Sequence, residues 1–329
     1  MTSALRRVTA SAPAKTNLLL HVGSPTPDGY HPLETLFVAV DLRETVTATL
    51  DPASAGAAVS VTVEPAPGSE YARMVEQGAA RLTDIPLDGR NLAVRAALAV
   101  CDAMGVSPSG LELHIRKAVP VAGGMGGGSA DAAAALVAVN ELLAAHLGTA
   151  PLTPGELSRL GARLGADVPF MLLGGAALGR GTGTELEPVP TSAQLHLVFV
   201  PQDRGLSTPA VYRRWDAAYD LTAHGAPDPV PAQALAALDP ANPEALATLV
   251  RNDLQPPAVD LLPALAGVLD HGVELGALTG WVSGSGPTVC FLARSADAAE
   301  QLVRAFSHEG RRALATAAPV PGARVDARG

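Results

Sequence analysis

Cysteine, aromatic residues and clustered positive charge are all scarce in this 329-residue chain: two cysteines, 3% aromatics, and a formal charge of -9. Each scarcity removes a class of protein. Cys101 and Cys290 lie in apolar runs, are too few to staple a secreted domain, and read as buried reduced thiols. Basic residues occur singly or in pairs such as Arg6-Arg7 and Arg213-Arg214, so no concentrated positive face awaits a nucleic acid. No uncharged apolar run of about 18 residues is apparent, and no apolar core of signal-peptide length follows Arg6-Arg7. The expectation is a cytoplasmic protein with no nucleic-acid and no membrane partner.

Apolar residues make up 48% of the chain and glycine contributes 33 positions. That apolar content supports a folded chain, and the length suits two packed domains. No repeat of solenoid period is visible. The densest glycine cluster is Pro120-Val121-Ala122-Gly123-Gly124-Met125-Gly126-Gly127-Gly128-Ser129-Ala130-Asp131. It sits between a strand-like run at 111–115 and an apolar helical segment expected at 130–147. Glycines allow positive φ and close backbone approach, and the first N–H groups of a helix have no intrahelical acceptor. With the positive end of the helix dipole, such a turn cradles an anion such as a nucleotide phosphate chain. It is neither a P-loop, because Ser129 follows Gly128 without a lysine, nor a dinucleotide fingerprint, whose third glycine would fall on Ser129.

Along the rest of the chain, residues 8–22 read as two strands separated by Pro13-Ala14-Lys15-Thr16-Asn17, with another apolar run through Val40. Strands are expected at 46–50, 59–63, 195–200 and 288–292. Helices are expected at 91–104, 154–164, 210–218, 244–250, 256–271 and 296–307, with glycine-rich 174–183 bending between strands.

Three separated motifs, Pro13-Ala14-Lys15-Thr16-Asn17-Leu18, the glycine loop through Ser129, and Val282-Ser283-Gly284-Ser285-Gly286-Pro287-Thr288, together resemble one family. That family is the small-molecule kinases named after galactokinase, homoserine kinase, mevalonate kinase and phosphomevalonate kinase. The segment Asp28-Gly29-Tyr30-His31-Pro32-Leu33-Glu34-Thr35-Leu36-Phe37 resembles the cytidine-recognising region of one branch, and Leu164-Gly165-Ala166-Asp167-Val168-Pro169-Phe170 its catalytic-base segment. A weaker match is Leu206-Ser207-Thr208-Pro209-Ala210-Val211-Tyr212. Thr16 departs from the aliphatic residue common there, leaving Lys15 and Asn17 in place.

The resemblance implies an α+β, two-domain fold: an N-terminal ribosomal-protein-S5-like domain over 1–193 and a C-terminal ferredoxin-like α/β sandwich over 194–329. It also implies a kinase using ATP with Mg2+ on a small-molecule cytidine diphosphate substrate. Asp167 would be the catalytic base and Lys15 its cation. Lys117, Pro120, Gly123, Gly124, Gly126, Gly127, Gly128 and Ser129 would bind ATP. Asn17, Tyr30, His31, Thr208, Tyr212, Gly284 and Ser285 would bind the acceptor, with Tyr30 and Tyr212 stacking on cytosine and His31 reading its edge. No carboxylate cluster marks a dedicated metal cage, so the ion is expected to arrive with ATP.

Structural readings stand beside these roles. Asp167 could only terminate a helix, Lys15 and Lys117 could be solvated lysines, Asn17 could bond its own turn, and Tyr30 could pack its loop. Asn91 is either an adenine contact or an N-cap, and residues 284–286 could be a simple hairpin turn. Another kinase of the family, or a silent nucleotide sensor, remains as an alternative function. Monomer and weak homodimer stay open.

Overall fold

A computed structural model of the chain describes residues 6–51, 59–121, 123–192, 194–218, 225–238 and 242–329. The first stretch of chain supplies β1 (Arg7–Val22), β2 (Leu33–Leu50), β3 (Ser60–Pro65), α1 (Glu70–Glu76), α2 (Leu92–Met104) and β4 (Leu111–Lys117). It continues with α3 (Gly127–Leu147), α4 (Pro154–Leu164), α5 (Val168–Leu173), β5 (Ala176–Gly181) and β6 (Glu185–Val189). The remainder supplies β7 (Leu195–Val200), α6 (Thr208–Ala218), α7 (Ala232–Ala236), α8 (Pro243–Ala247), β8 (Arg251–Asn252), α9 (Gln255–Leu261) and α10 (Ala264–Glu274). It ends with β9 (Thr279–Val282), β10 (Val289–Ala293), α11 (Ala296–His308), β11 (Leu314–Ala318) and β12 (Arg324–Arg328).

Among the described residues the strands form two sheets. The larger runs β12-β1-β2-β4-β3, with β5 and β6 continuing from β2 and β8 beside β1; the smaller runs β11-β7-β10-β9. The α+β expectation is met. The expected domain boundary falls in the link between β6 and β7, where Ala193 lies outside the described residues. Strands β8 and β12 belong to the larger sheet although they lie beyond that boundary in sequence.

β1 is one strand where two had been expected. Pro13 cannot donate a ladder hydrogen bond, but the strand absorbs it with a register shift between Pro13 and Ala14, and a second shift falls between Asn17 and Leu19. These irregularities bracket Lys15 and Asn17, and such bulges re-aim side chains locally. β2 similarly merges two expected strands. Within the glycine-rich 174–183 stretch, β5 is a strand rather than a bend: a Cβ on Gly179 would lie 2.6 Å from the Phe37 ring, so its glycine makes room for packing. The expected helix at 256–271 is two helices, α9 and α10, broken at Leu262-Pro263 because proline cannot continue the hydrogen-bond ladder.

Helix α3 is long and apolar enough to cross a membrane by length and composition, yet its most apolar window is 72% buried inside the fold. Its alanines let it lie close against α2 and the strands β1 and β2, in a core shared with Phe37, Val46, Leu113 and Phe170. A separate core behind the smaller sheet gathers Phe291, Phe306, Leu302 and Val282.

That second core is tight at Gly272, where a Cβ would come within 2.1 Å of the Phe291 ring. Gly272→Ala is therefore expected to destabilise the protein by roughly 1–3 kcal/mol through overpacking. Chemical denaturation measures this, and an unchanged midpoint would show that the Phe291 ring yields freely.

Candidate active site

Helix α3 begins at Gly127, three residues ahead of the expected start, because Gly126 takes the left-handed conformation (φ +74°) and turns the chain into the helix. No side chain caps this end, and the N–H groups of Gly127, Gly128 and Ser129 find no acceptor among the described residues. The loop is pressed against the 283–288 turn. A Cβ on Gly124 (φ +75°) would sit 2.1 Å from the Ser283 carbonyl oxygen, and one on Gly123 would sit 2.7 Å from Thr288 Oγ1. Ser283 Oγ donates to Gly124 O at 3.2 Å and shares a hydroxyl–hydroxyl contact with Thr16 Oγ1 at 3.0 Å. Together the two contacts tie the loop, the turn and β1.

Lys15 lies between loop and turn. Its backbone N–H donates to Met125 O at 3.1 Å, and a Cβ on Gly284 would come within 3.4 Å of its Nζ. Nζ donates to Asn17 Oδ1 at 2.8 Å; Asn17 Nδ2 donates to Thr35 Oγ1 at 2.8 Å; Thr35 Oγ1 donates to Leu19 O at 2.6 Å. This buried chain fixes an ammonium group that would otherwise swing on four methylenes. Nζ stands 3.7 Å from Asp167 Oδ2, with side-chain exposures of 7% and 29%. Asp167 occupies the position before α5 in helical conformation and its side chain caps nothing. The carboxylate thus remains available for the Lys15 ammonium and the cavity.

On the far side of this pair, Tyr30 is 65% exposed at the cavity mouth. His31 packs against Tyr212 with ring centroids 4.9 Å apart and planes tilted by 33°, so Tyr212 meets His31 rather than Tyr30. Burial, reinforced by the Asp167 charge, pushes the Tyr212 phenol above its usual range. Thr208 and Ser285 share a hydroxyl hydrogen bond of 2.7 Å. The Gly284 turn is held from behind by Asn252, whose Nδ2 donates to Val282 O at 2.7 Å and Gly284 O at 2.6 Å.

Lys117 is not a solvated strand-end residue. Its ammonium is buried between Glu44 Oε1 at 2.5 Å and Asp131 Oδ2 at 2.6 Å, while Glu44 Oε2 accepts the Ala118 N–H at 2.8 Å. Burial disfavours the charged lysine, but the two carboxylates outweigh it and hold its pKa above the ordinary value. Burial likewise raises Asp131, and pushes Glu44 up to about 8 against the pull of Lys117. A Cβ on Gly127 would lie 3.1 Å from Glu44 Oε1, so this ionic cluster forms the floor of the glycine loop. Asn91 is the N-cap of α2, its Oδ1 accepting from Ala93 N at 2.9 Å.

A single cavity of about 1120 Å³ joins these groups, from Pro86 and Asn91 past the glycine loop and Lys15–Asp167 to His31 and Tyr212. Pro120 and the expected loop glycines line it, as do Ser129, Thr208, Gly284 and Ser285. Among the described residues, no group of three His, Cys, Asp or Glu side chains is arranged to hold a metal ion. Sequence reasoning missed Glu44, Asp131, Thr35, Asn252 and Asp216 as parts of this region. Asp216 carried a signal: it lies one helical turn beyond Tyr212 and two beyond Thr208, on the same face of α6.

Residues 91–175 match the family model of the GHMP kinases N terminal domain, and residues 232–312 that of the GHMP kinases C terminal. The 4-diphosphocytidyl-2-C-methyl-D-erythritol kinase of Paenarthrobacter aurescens (strain TC1) is 45% identical over 322 residues, covering 97% of this chain and 96% of that protein. A crystal structure of 4-(cytidine 5'-diphospho)-2C-methyl-D-erythritol kinase superimposes with a TM-score of 0.69 at 31% identity, covering 95% of this chain and 99% of the other. The homoserine kinase of Cytophaga hutchinsonii shares the fold, with a TM-score of 0.69 at 18% identity over 99% of both chains.

The ionic floor has a measurable signature. Below the unfolded glutamate value Glu44 is protonated in both states; as pH rises toward about 8 the folded protein holds a proton that the unfolded chain has released. Its stabilising contribution is therefore fully present below about pH 4.5 and is lost as pH climbs through 8. Glu44→Gln, which has no proton to lose, is expected to flatten the decline in stability between roughly pH 5 and 8 by about 2 kcal/mol or more. Urea titrations of both proteins across that range measure it, and parallel profiles would contradict the assignment.

Proposed function

The chain belongs to the GHMP kinase family, and on that premise we propose that it transfers the γ-phosphoryl group of ATP to the 2-hydroxyl of 4-diphosphocytidyl-2-C-methyl-D-erythritol, in the non-mevalonate route to isoprenoid precursors. The observation that carries this reading is the 3.7 Å pair of Lys15 and Asp167, set in one cavity between the glycine loop and the His31–Tyr212 pocket. The names and identities of the full-length relatives support the choice of acceptor.

Phosphoryl transfer to an alcohol passes through a loose transition state, so alignment and charge stabilisation carry most of the catalysis. The triphosphate lies along Gly123 to Ser129, where the unpaired N–H groups of α3 face anionic oxygens. The Ser129 hydroxyl meets a phosphate oxygen, and Lys117 stands under the same loop with its charge already shared by Glu44 and Asp131. Mg2+ would arrive with the triphosphate and offset its charge beside Ser129; among the described residues no group of three His, Cys, Asp or Glu side chains is arranged to hold the ion. Asp167 accepts the proton of the acceptor hydroxyl. Lys15, held by Asn17, orients that carboxylate and offsets charge on the transferred group. Tyr30, His31 and Tyr212 hold the cytosine, and Thr208, Gly284 and Ser285 border the diphosphate and erythritol.

Replacing Asp167 by Asn keeps the size and removes the base. Turnover is expected to fall by about a hundredfold or more while ATP affinity is retained; unchanged turnover removes Asp167 from the base role. ADP release in the presence of the named substrate separates a kinase from a silent nucleotide sensor. Competition by CMP and CDP tests the acceptor, since failure of both to inhibit would remove the cytidine assignment.

A further inference from the structure

His31 Nε2 lies 2.7 Å from Asp216 Oδ1, and the imidazole side chain is only 6% exposed. An ionised carboxylate has no hydrogen to give, so the proton of this bond belongs to Nε2. Nδ1 has no hydrogen-bond partner among the described residues, although the ring lines the cavity. Tyr212 covers one side of the ring and limits its rotation. The imidazole is thus anchored at one nitrogen by α6, a helix that also brings Tyr212 and Thr208 to the cavity from the same face. Val211 and Trp215, on the neighbouring face, bury α6 in the core around Leu254 and Ala258 and hold that register.

We propose that Asp216 is a positioning residue that selects cytosine over uracil by fixing the tautomer of His31, so that Nδ1 presents a lone pair to the base. This rests on the cytidine reading given above and extends it to a residue outside the recognised motifs. The two pyrimidines differ at one edge: cytosine presents a 4-amino donor, whereas uracil has a carbonyl acceptor there and a donor at N3. A bare Nδ1 accepts from the amino group. Against uracil two lone pairs would face each other, and a nearly buried acceptor would go unmet, which is costly. The opposite tautomer would invert the preference. Asp216 therefore acts through His31 and need not touch the ligand, and its effect is on recognition rather than on the phosphoryl step.

The test measures binding of CDP and UDP to the wild-type protein, Asp216→Asn and Asp216→Ala by calorimetry, with melting curves confirming that each variant is folded. The wild type is expected to favour CDP over UDP by about tenfold or more, the effect of one hydrogen bond with its unmet counterpart. Both variants are expected to lose most of that ratio, with KM for the cytidine substrate raised and kcat within about twofold of wild type. Nitrogen-15 spectra of the CDP complex are expected to show His31 Nε2 protonated and Nδ1 bare in the wild type. Equal loss of affinity for both diphosphates, an unaltered ratio, or a protonated Nδ1 would each overturn the role of Asp216. Failure of CDP to bind the wild type would instead overturn the cytidine reading, which separates the two claims.

Discussion

The site depends on two stretches of backbone approaching more closely than side chains would permit. Where Gly124 faces the Ser283 carbonyl there is no room for even a methyl group. That contact joins the start of α3, with its unpaired N–H groups, to the 283–288 turn. Lys15 runs through the seam, bonded by its own N–H to Met125 and overlooked by Gly284. Backbone packing therefore places the Lys15 main chain, and the buried chain through Asn17 and Thr35 fixes its ammonium group. Glycine here serves approach as well as conformation.

Beneath the loop the electrostatics are arranged differently. Lys117 shares its charge with two buried carboxylates, and part of that cluster is proton-linked because burial disfavours carrying both negative charges there. Lys15 has a partly exposed carboxylate and open cavity before it. Two lysines close to the same loop thus have separate characters: one is committed to the scaffold, while the other faces the open cavity.

Much of the secondary structure was legible. Periodicity located α2, α4, α6 and α11 closely, and a capping box from Thr153 and Glu156 explains the clear start of α4. Misreadings arose where local signals yield to long-range pairing. Pro13 looked like a strand end but was absorbed by a bulge in a strand paired along most of its length with β2. β5 looked like a glycine-rich bend but pairs with β2 and β6. The short β8 and terminal β12 had little pattern of their own, since their strand character comes from β1.

The α+β fold came with the resemblance of three motifs, in their order, to the GHMP kinases; residue types and spacing by themselves established a glycine turn opening a helix, because that follows from conformational preference and local pattern. They did not establish that Lys15 and Asp167, far apart in the chain, stand 3.7 Å from each other. Nor did they establish that Lys117 is clasped by Glu44 and Asp131, or that Asp216 reaches His31. Ion pairs and hydrogen bonds between distant residues act over a few ångströms and leave no periodic trace in the chain, so only packing of the sheets and helices could decide them.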